Sequence, residues 1–239
     1  MSMVYRTLGK TGLKVSALSF GAWVTFGKQI GDPVAKDLMY AAYDAGVNFF
    51  DNAEAYADGQ AERVMGAILK GAGWRRSSFL VSSKVFFGWE DDRPNQSGLS
   101  RKHIIEGCHA ALQRLQVDYL DLYYCHRPDP DVPVAETAWA MHDLITQGKV
   151  LYWGTSEWSA AQIAEAHRER RAKGDGHVRR ETARLRGDRQ LVHLISDIGG
   201  REHTSAGMFG AHRASIGTAC PTSARRRTSR GNSAPCAAR

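Results

Sequence analysis

Short apolar runs recur along this chain at the spacing of one strand-plus-helix unit, and that recurrence restricts the fold more than any other feature. The runs VNFFD at 47–51, FLVSSK at 79–84, YLDLYYC at 119–125 and VLYWGTS at 150–156 read as buried strands. With an earlier strand leading out of a hairpin, strand ends fall near residues 21, 51, 84, 126 and 155, a spacing of roughly 30–40 residues per unit. Strands that alternate with helices in this way pair in parallel, because each crossover must return the chain to the same end of the sheet.

The segments between these runs have helical spacing and helical punctuation. Asp32 is expected to cap a helix with Pro33 at its first position, with Val34, Leu38, Ala42 and Ala45 on its apolar stripe and Gly46 as its stop. Val64, Met65, Ile68 and Leu69 mark a second helix. Ser100 caps a third, whose stripe is Ile104, Ile105, Cys108, Leu112 and Leu115. Pro133 opens a fourth carrying Val134, Ala138, Met141 and Ile145, closed by Gly148, and Ser159 with Gln162 forms a capping box for one more. At the N-terminus, YRTL and LKVSALSF flank the turn GKTG at 9–12 as a small hairpin. The expected fold is α/β: about five units of a (β/α)8 barrel, incomplete, with an N-terminal β-hairpin. A closed barrel of eight units needs about 250 residues, and the pattern stops near residue 167.

Composition divides the chain at the same place. Residues 1–167 hold 16 Lys+Arg against 19 Asp+Glu, whereas residues 168–239 hold 16 against 6. All six Trp and all eight Tyr precede residue 168. A segment so poor in apolar groups buries little surface against the entropy of ordering, so residues 168–239 are expected to be a basic, Arg-rich, mostly disordered tail. LVHLISDI at 191–198 is its one strand-length apolar stretch and is expected to stand alone. The abrupt change suggests out-of-frame translation of a GC-rich gene or a truncating rearrangement. The tail lacks the interleaved aromatics that stack bases, and no run approaches the length of a membrane span, so neither specific nucleic-acid nor membrane binding is expected. Cys108, Cys125, Cys220 and Cys236 form no metal-type pair and read as free thiols of a cytoplasmic protein. No metal is implied.

Four polar residues stand where the sheet's strands end. Asp51, Lys84 and His126 close the second, third and fourth runs, and Tyr56 follows five residues after Asp51. In a barrel, catalytic groups collect at that end. Taken singly, each has a plainer reading as a helix cap, a packing aromatic, a solvated lysine or a loop histidine. Together they suit proton transfer to a carbonyl. Tyr56 would supply the proton, and Lys84 is expected to lower its pKa; two units of lowering correspond to about 2.7 kcal/mol. Asp51 would balance Lys84 inside the barrel, and His126 would orient the carbonyl oxygen.

With GAWVTFGKQI at 21–30, FFDNAEAY at 49–56, VSSK at 81–84, LSRKHIIEG at 99–107, HRPDP at 126–130 and WGTSEWS at 153–159, the chain resembles the aldo-keto reductases. Within them it is most like the group of voltage-gated potassium channel beta subunits and their bacterial relatives. The resemblance implies a (β/α)8 barrel, NADPH as hydride donor, a small aldehyde or ketone as substrate, and the catalytic tetrad Asp51, Tyr56, Lys84 and His126. It also implies cofactor contacts from Trp23, Gln29, Asp51, Ser156 and Glu157. Glu157 stands where potassium-channel subunits carry Arg, and His126 where the animal subunits tend to have Asn. The family segments that grip the pyrophosphate and the 2′-phosphate have no counterpart after about residue 167, so weak NADPH binding, or none, is expected. A cofactor-sensing regulatory subunit and an inactive remnant stay open as alternatives, as does a homo-oligomer formed through unpaired sheet edges.

Overall fold

The structure, a computed structural model, describes residues 2–9, 11–89, 93–177 and 191–193, with the backbone alone for 170–177 and 191–193. Strands β1 (Tyr5–Thr7) and β2 (Lys14–Ser16) form an antiparallel hairpin in which Thr7 pairs with Lys14. Then β3 (Phe20–Gly21), β4 (Phe49–Asp51), β5 (Leu80–Val85), β6 (Leu120–Cys125), β7 (Val150–Thr155) and β8 (Leu191–His193) pair in parallel, each with the next. Helices α1 (Asp32–Asp44), α2 (Gln60–Gly71), α3 (Arg101–Leu115), α4 (Val134–Thr146) and α5 (Ala160–His177) alternate with β3 to β8. Strands that neighbour each other in sequence order, with a helix in each crossover, make the described residues an arc of a (β/α) barrel.

Register separates two apolar layers. Phe49, Leu122 and Tyr152 share one face of the sheet with Asp51, Ser82, Lys84 and Tyr124. Leu122 and Tyr124 pack there with Leu8 from the hairpin turn, Phe49 and Tyr152. The hairpin is tied to the sheet by Asn48, whose side chain accepts from the Ser16 backbone N–H at 2.8 Å and donates to the Lys14 carbonyl at 3.0 Å. The opposite face presents Phe50, Val81, Val85, Tyr123, Cys125 and Trp153 to the helices and carries the larger core.

Several local expectations hold for identifiable reasons. The Ser100 hydroxyl accepts from the His103 N–H at the start of α3. Ser159 and Gln162 exchange bonds as a capping box should, with Gln162 Oε1 accepting from the Ser159 N–H at 2.9 Å. Gly46 and Gly148 sit at positive φ just past α1 and α4. Cys108 and Cys125 are buried free thiols, and burial pushes Cys108 up to about 12. Cys220 and Cys236 lie outside the described residues.

Three expectations need correction. Gly31, not Asp32, is the N-cap of α1, because the Gly31 carbonyl already accepts from the Ala35 N–H and places Asp32 in the first turn. The buried stripe of α1 runs through Ala35 and Met39, whereas Val34 and Leu38 are exposed. Leu191–His193 does not stand alone: it pairs with β7, Trp153 opposite Leu191. The rest of the expected disordered tail lies outside the described residues, apart from the end of α5.

Candidate active site

The site grows out of the parallel register. Asp51 ends β4 directly opposite Ser82 of β5, and the Ser82 hydroxyl donates to Asp51 Oδ1 at 2.6 Å. Two residues further along β5, on the same face, comes Lys84. Its ammonium donates to Asp51 Oδ2 at 2.6 Å, to the Asn52 carbonyl at 2.8 Å and to the Tyr56 hydroxyl at 3.1 Å. Tyr56 is brought over the strand ends by a turn after β4, in which the Glu54 N–H donates to the Lys84 carbonyl and the Tyr56 N–H to the Ala53 carbonyl. His126 follows β6 and continues the ladder by donating its N–H to the Val85 carbonyl at 3.0 Å. Its ring meets the Tyr56 ring edge-on at 5.9 Å. The four sequence-predicted residues therefore converge.

All four are almost wholly buried, Lys84 at 1 % exposure and His126 at 8 %, and desolvation is the largest cause of the shifts at Lys84, Tyr56 and His126. It presses the Lys84 ammonium towards deprotonation, and the Asp51 carboxylate opposes that shift. Tyr56 departs from expectation: its pKa is raised rather than lowered, by burial first and by the Asp51 charge second. The nearby ammonium does not reverse this because Asp51 already balances it. Tyr56 thus keeps its proton at neutral pH, and no hydrogen bond within the described residues takes that proton. Burial, with the charges of Lys84 and Arg127, pushes His126 down to about 3. Its imidazole is neutral, and Nδ1 is buried without a partner among the described residues.

The residues expected to face a cofactor are arranged around this centre to different degrees. Trp23 follows β3, is 51 % exposed, and lies 6.5 Å from Tyr56 ring to ring. Ser156 follows β7 beside His126, its N–H donating to the Cys125 carbonyl at 2.9 Å. Glu157 sits next to it at φ 60° and pairs with Arg127 at 3.2 Å. Gln29 is exposed on the turn after Thr25, its N–H donating to the Thr25 carbonyl at 3.0 Å.

Behind the tetrad lies a second buried polar cluster that the sequence reading did not single out. Glu54 Oε1 accepts from the Phe86 and Gly88 N–H groups at 2.7 and 2.8 Å and meets His103 Nε2 at 3.1 Å. Glu62 accepts from Ser83 and from Arg114 Nε, both at 2.6 Å, and the Arg114 guanidinium lies 4.4 Å from the centre of the Trp89 ring. These contacts pin the loops after β4 and β5 from the helix side. The legible signal was LVSSKV itself: adjacent serines in a wholly buried strand need a partner on each face of the sheet.

A buried Asp, Lys, Tyr and His centre at the strand ends of a (β/α) arc has counterparts among known proteins. The model described as "Aldo/keto reductase family" matches residues 17–175. The chain belongs to the aldo-keto reductase family. Over 164 residues it is 57% identical to the "Probable voltage-gated potassium channel subunit beta" of Arabidopsis thaliana, and equally so to the protein of that name in Oryza sativa subsp. japonica. Those matches cover 69% of this chain and 49% of each relative, so the chain spans about half the length of the curated relatives it matches. A crystal structure of a thermostable aldo-keto reductase in complex with the inhibitor epalrestat superposes with a TM-score of 0.61 at 32% identity, covering 70% of this chain and 58% of that one. The described residues thus form a partial barrel of the aldo-keto reductase type.

Proposed function

We propose that this chain carries the proton-delivering half of a reductase that converts small aldehydes or ketones to alcohols, with Tyr56 as acid and NADPH as hydride donor. The observation that carries this reading is the buried Lys84 ammonium, held between the Asp51 carboxylate at 2.6 Å and the Tyr56 hydroxyl at 3.1 Å. When bound, the reduced nicotinamide supplies a hydride to the carbonyl carbon. Tyr56 gives its proton to the oxygen as charge develops there, and Lys84 stabilises the phenolate left behind. Neutral His126 donates a hydrogen bond to the same oxygen and fixes its approach.

The residues on hand fit the nicotinamide end. Trp23 offers an exposed ring beside Tyr56, and the Ser156 hydroxyl is half-buried with no hydrogen bond among the described residues. Glu157 suits the role less well, since its carboxylate is engaged by Arg127. We assign the reductase half to residues 1–167 and keep weak cofactor affinity as part of the reading, because the sequence after about residue 167 offers no shaped phosphate site. A cytoplasmic location accords with the buried thiols. No helix among the described residues is long and apolar enough to cross a membrane.

The test is loss of nicotinamide absorbance with a reactive aldehyde and NADPH in excess. Turnover should fall about a hundredfold or more in Tyr56→Phe; equal rates in both proteins would sink the assignment. A second reading, a cofactor-sensing regulatory subunit, is favoured by the 57% identity to probable channel beta subunits. It predicts retention of a channel's cytoplasmic segment by the full-length chain, modulated by NADPH and independent of aldehyde turnover.

A further inference from the structure

Arg127 directly follows His126 and reaches three strand-end loops. Its Nη1 donates to the His126 carbonyl at 2.6 Å, its Nε lies 3.2 Å from Glu157 Oε2, and its guanidinium lies 5.7 Å from the centre of the Phe87 ring. Phe87 in turn meets the His126 ring edge-on at 5.1 Å. The imidazole Nδ1 has no hydrogen-bond partner among the described residues, and the ring is flanked by its own backbone and by Phe87 and Tyr56 packed against it. Arg127 holds the first of these and touches the second.

Glu157 adds an independent mark. It occupies the left-handed region at φ 60°, which a non-glycine residue keeps where surrounding contacts demand it. Its carboxylate pairs with Arg127. Both side chains are partly exposed, at 34% and 42%, and pairs so exposed contribute little to stability. What such a pair can do is fix a geometry, here that of the loops after β6 and β7.

We propose that Arg127 is a positioning residue which, clasped by Glu157, fixes the His126 peptide and aims the imidazole at the oxygen of the carbonyl substrate. The naming of a carbonyl rests on the reductase reading above; the clasp itself does not.

Ring resonances of the full-length chain with isotopically labelled histidine test this, with His126 assigned by its loss in His126→Gln. Arg127→Met and Glu157→Gln should each move the His126 resonances while leaving those of His103 in place. Arg127→Lys should not restore them, because a single ammonium cannot bond the His126 carbonyl and Glu157 in the geometry of the fork. Resonances unmoved in Glu157→Gln, or restored in full by Lys, would overturn the proposal; the former decides even where Arg127→Met does not fold. In turnover by Arg127→Met, kcat should fall on the order of tenfold to a hundredfold with KM for NADPH unchanged. If the unmodified chain turns over no aldehyde, the reductase reading fails, and the His126 resonances still decide the clasp.

Discussion

Lys84 is under opposing demands, since a buried ammonium is costly and the site needs its charge beside Tyr56. Asp51 and the Asn52 carbonyl reconcile the two. Lys84→Met would leave the Asp51 carboxylate buried and unpaired, and should destabilise the protein by about 3–5 kcal/mol, read as a lowered urea midpoint at constant slope. His126 makes a pH prediction. Its folded pKa of about 3 lies below the ordinary 6.5, so between those values the unfolded chain binds a proton that the folded one refuses. Stability from this residue is full above pH 6.5 and is lost as pH falls towards 3. The acid-side loss should shrink in His126→Gln, and an identical pH profile in both proteins would contradict it. At this scale the tetrad was legible because each member ends or follows an apolar run. The direction of the Tyr56 shift was not, since it depends on burial and on Asp51 neutralising Lys84. Nor was the Glu62–Arg114 bond, whose partners stand 52 residues apart.

Helices α2 and α3 approach until Gly66 touches the α3 backbone: a Cβ there would lie 2.2 Å from the Arg114 carbonyl oxygen and 2.6 Å from the Leu115 carbonyl carbon. Neither atom can turn away as a side chain could. Gly66→Ala should therefore cost about 1–3 kcal/mol, visible as a lowered Tm, whereas an unchanged Tm would show that the helices can part. Strand and helix positions could be read from sequence because runs such as LVSSKV and caps such as Ser100 act locally. The face of α1 could not. It bears apolar residues on both sides, Val34 and Leu38 outward and Ala35 and Met39 inward, so periodicity alone selects no face. The pairing of Leu191–His193 with β7 was equally hidden, being a contact between distant segments in a stretch with no helical stripe to announce it.

For the whole molecule, the described arc brings together a buried acid, its lysine and its carboxylate, while the sequence after about residue 167 is read as lacking the phosphate-gripping segments that the family resemblance implies. The account therefore expects NADPH to bind weakly, so that quenching of the protein's fluorescence saturates only at high cofactor concentration. Tight quenching, reversed by oxidised cofactor, would show that another part of the chain holds the phosphates. The central claim is that Tyr56 delivers the proton, and it is most directly tested by aldehyde reduction by the full-length chain at excess NADPH, side by side with Tyr56→Phe. The account predicts turnover that is slow but measurable in the first and about a hundredfold lower or absent in the second. Equal rates in the two proteins, or no turnover in the first, would contradict it.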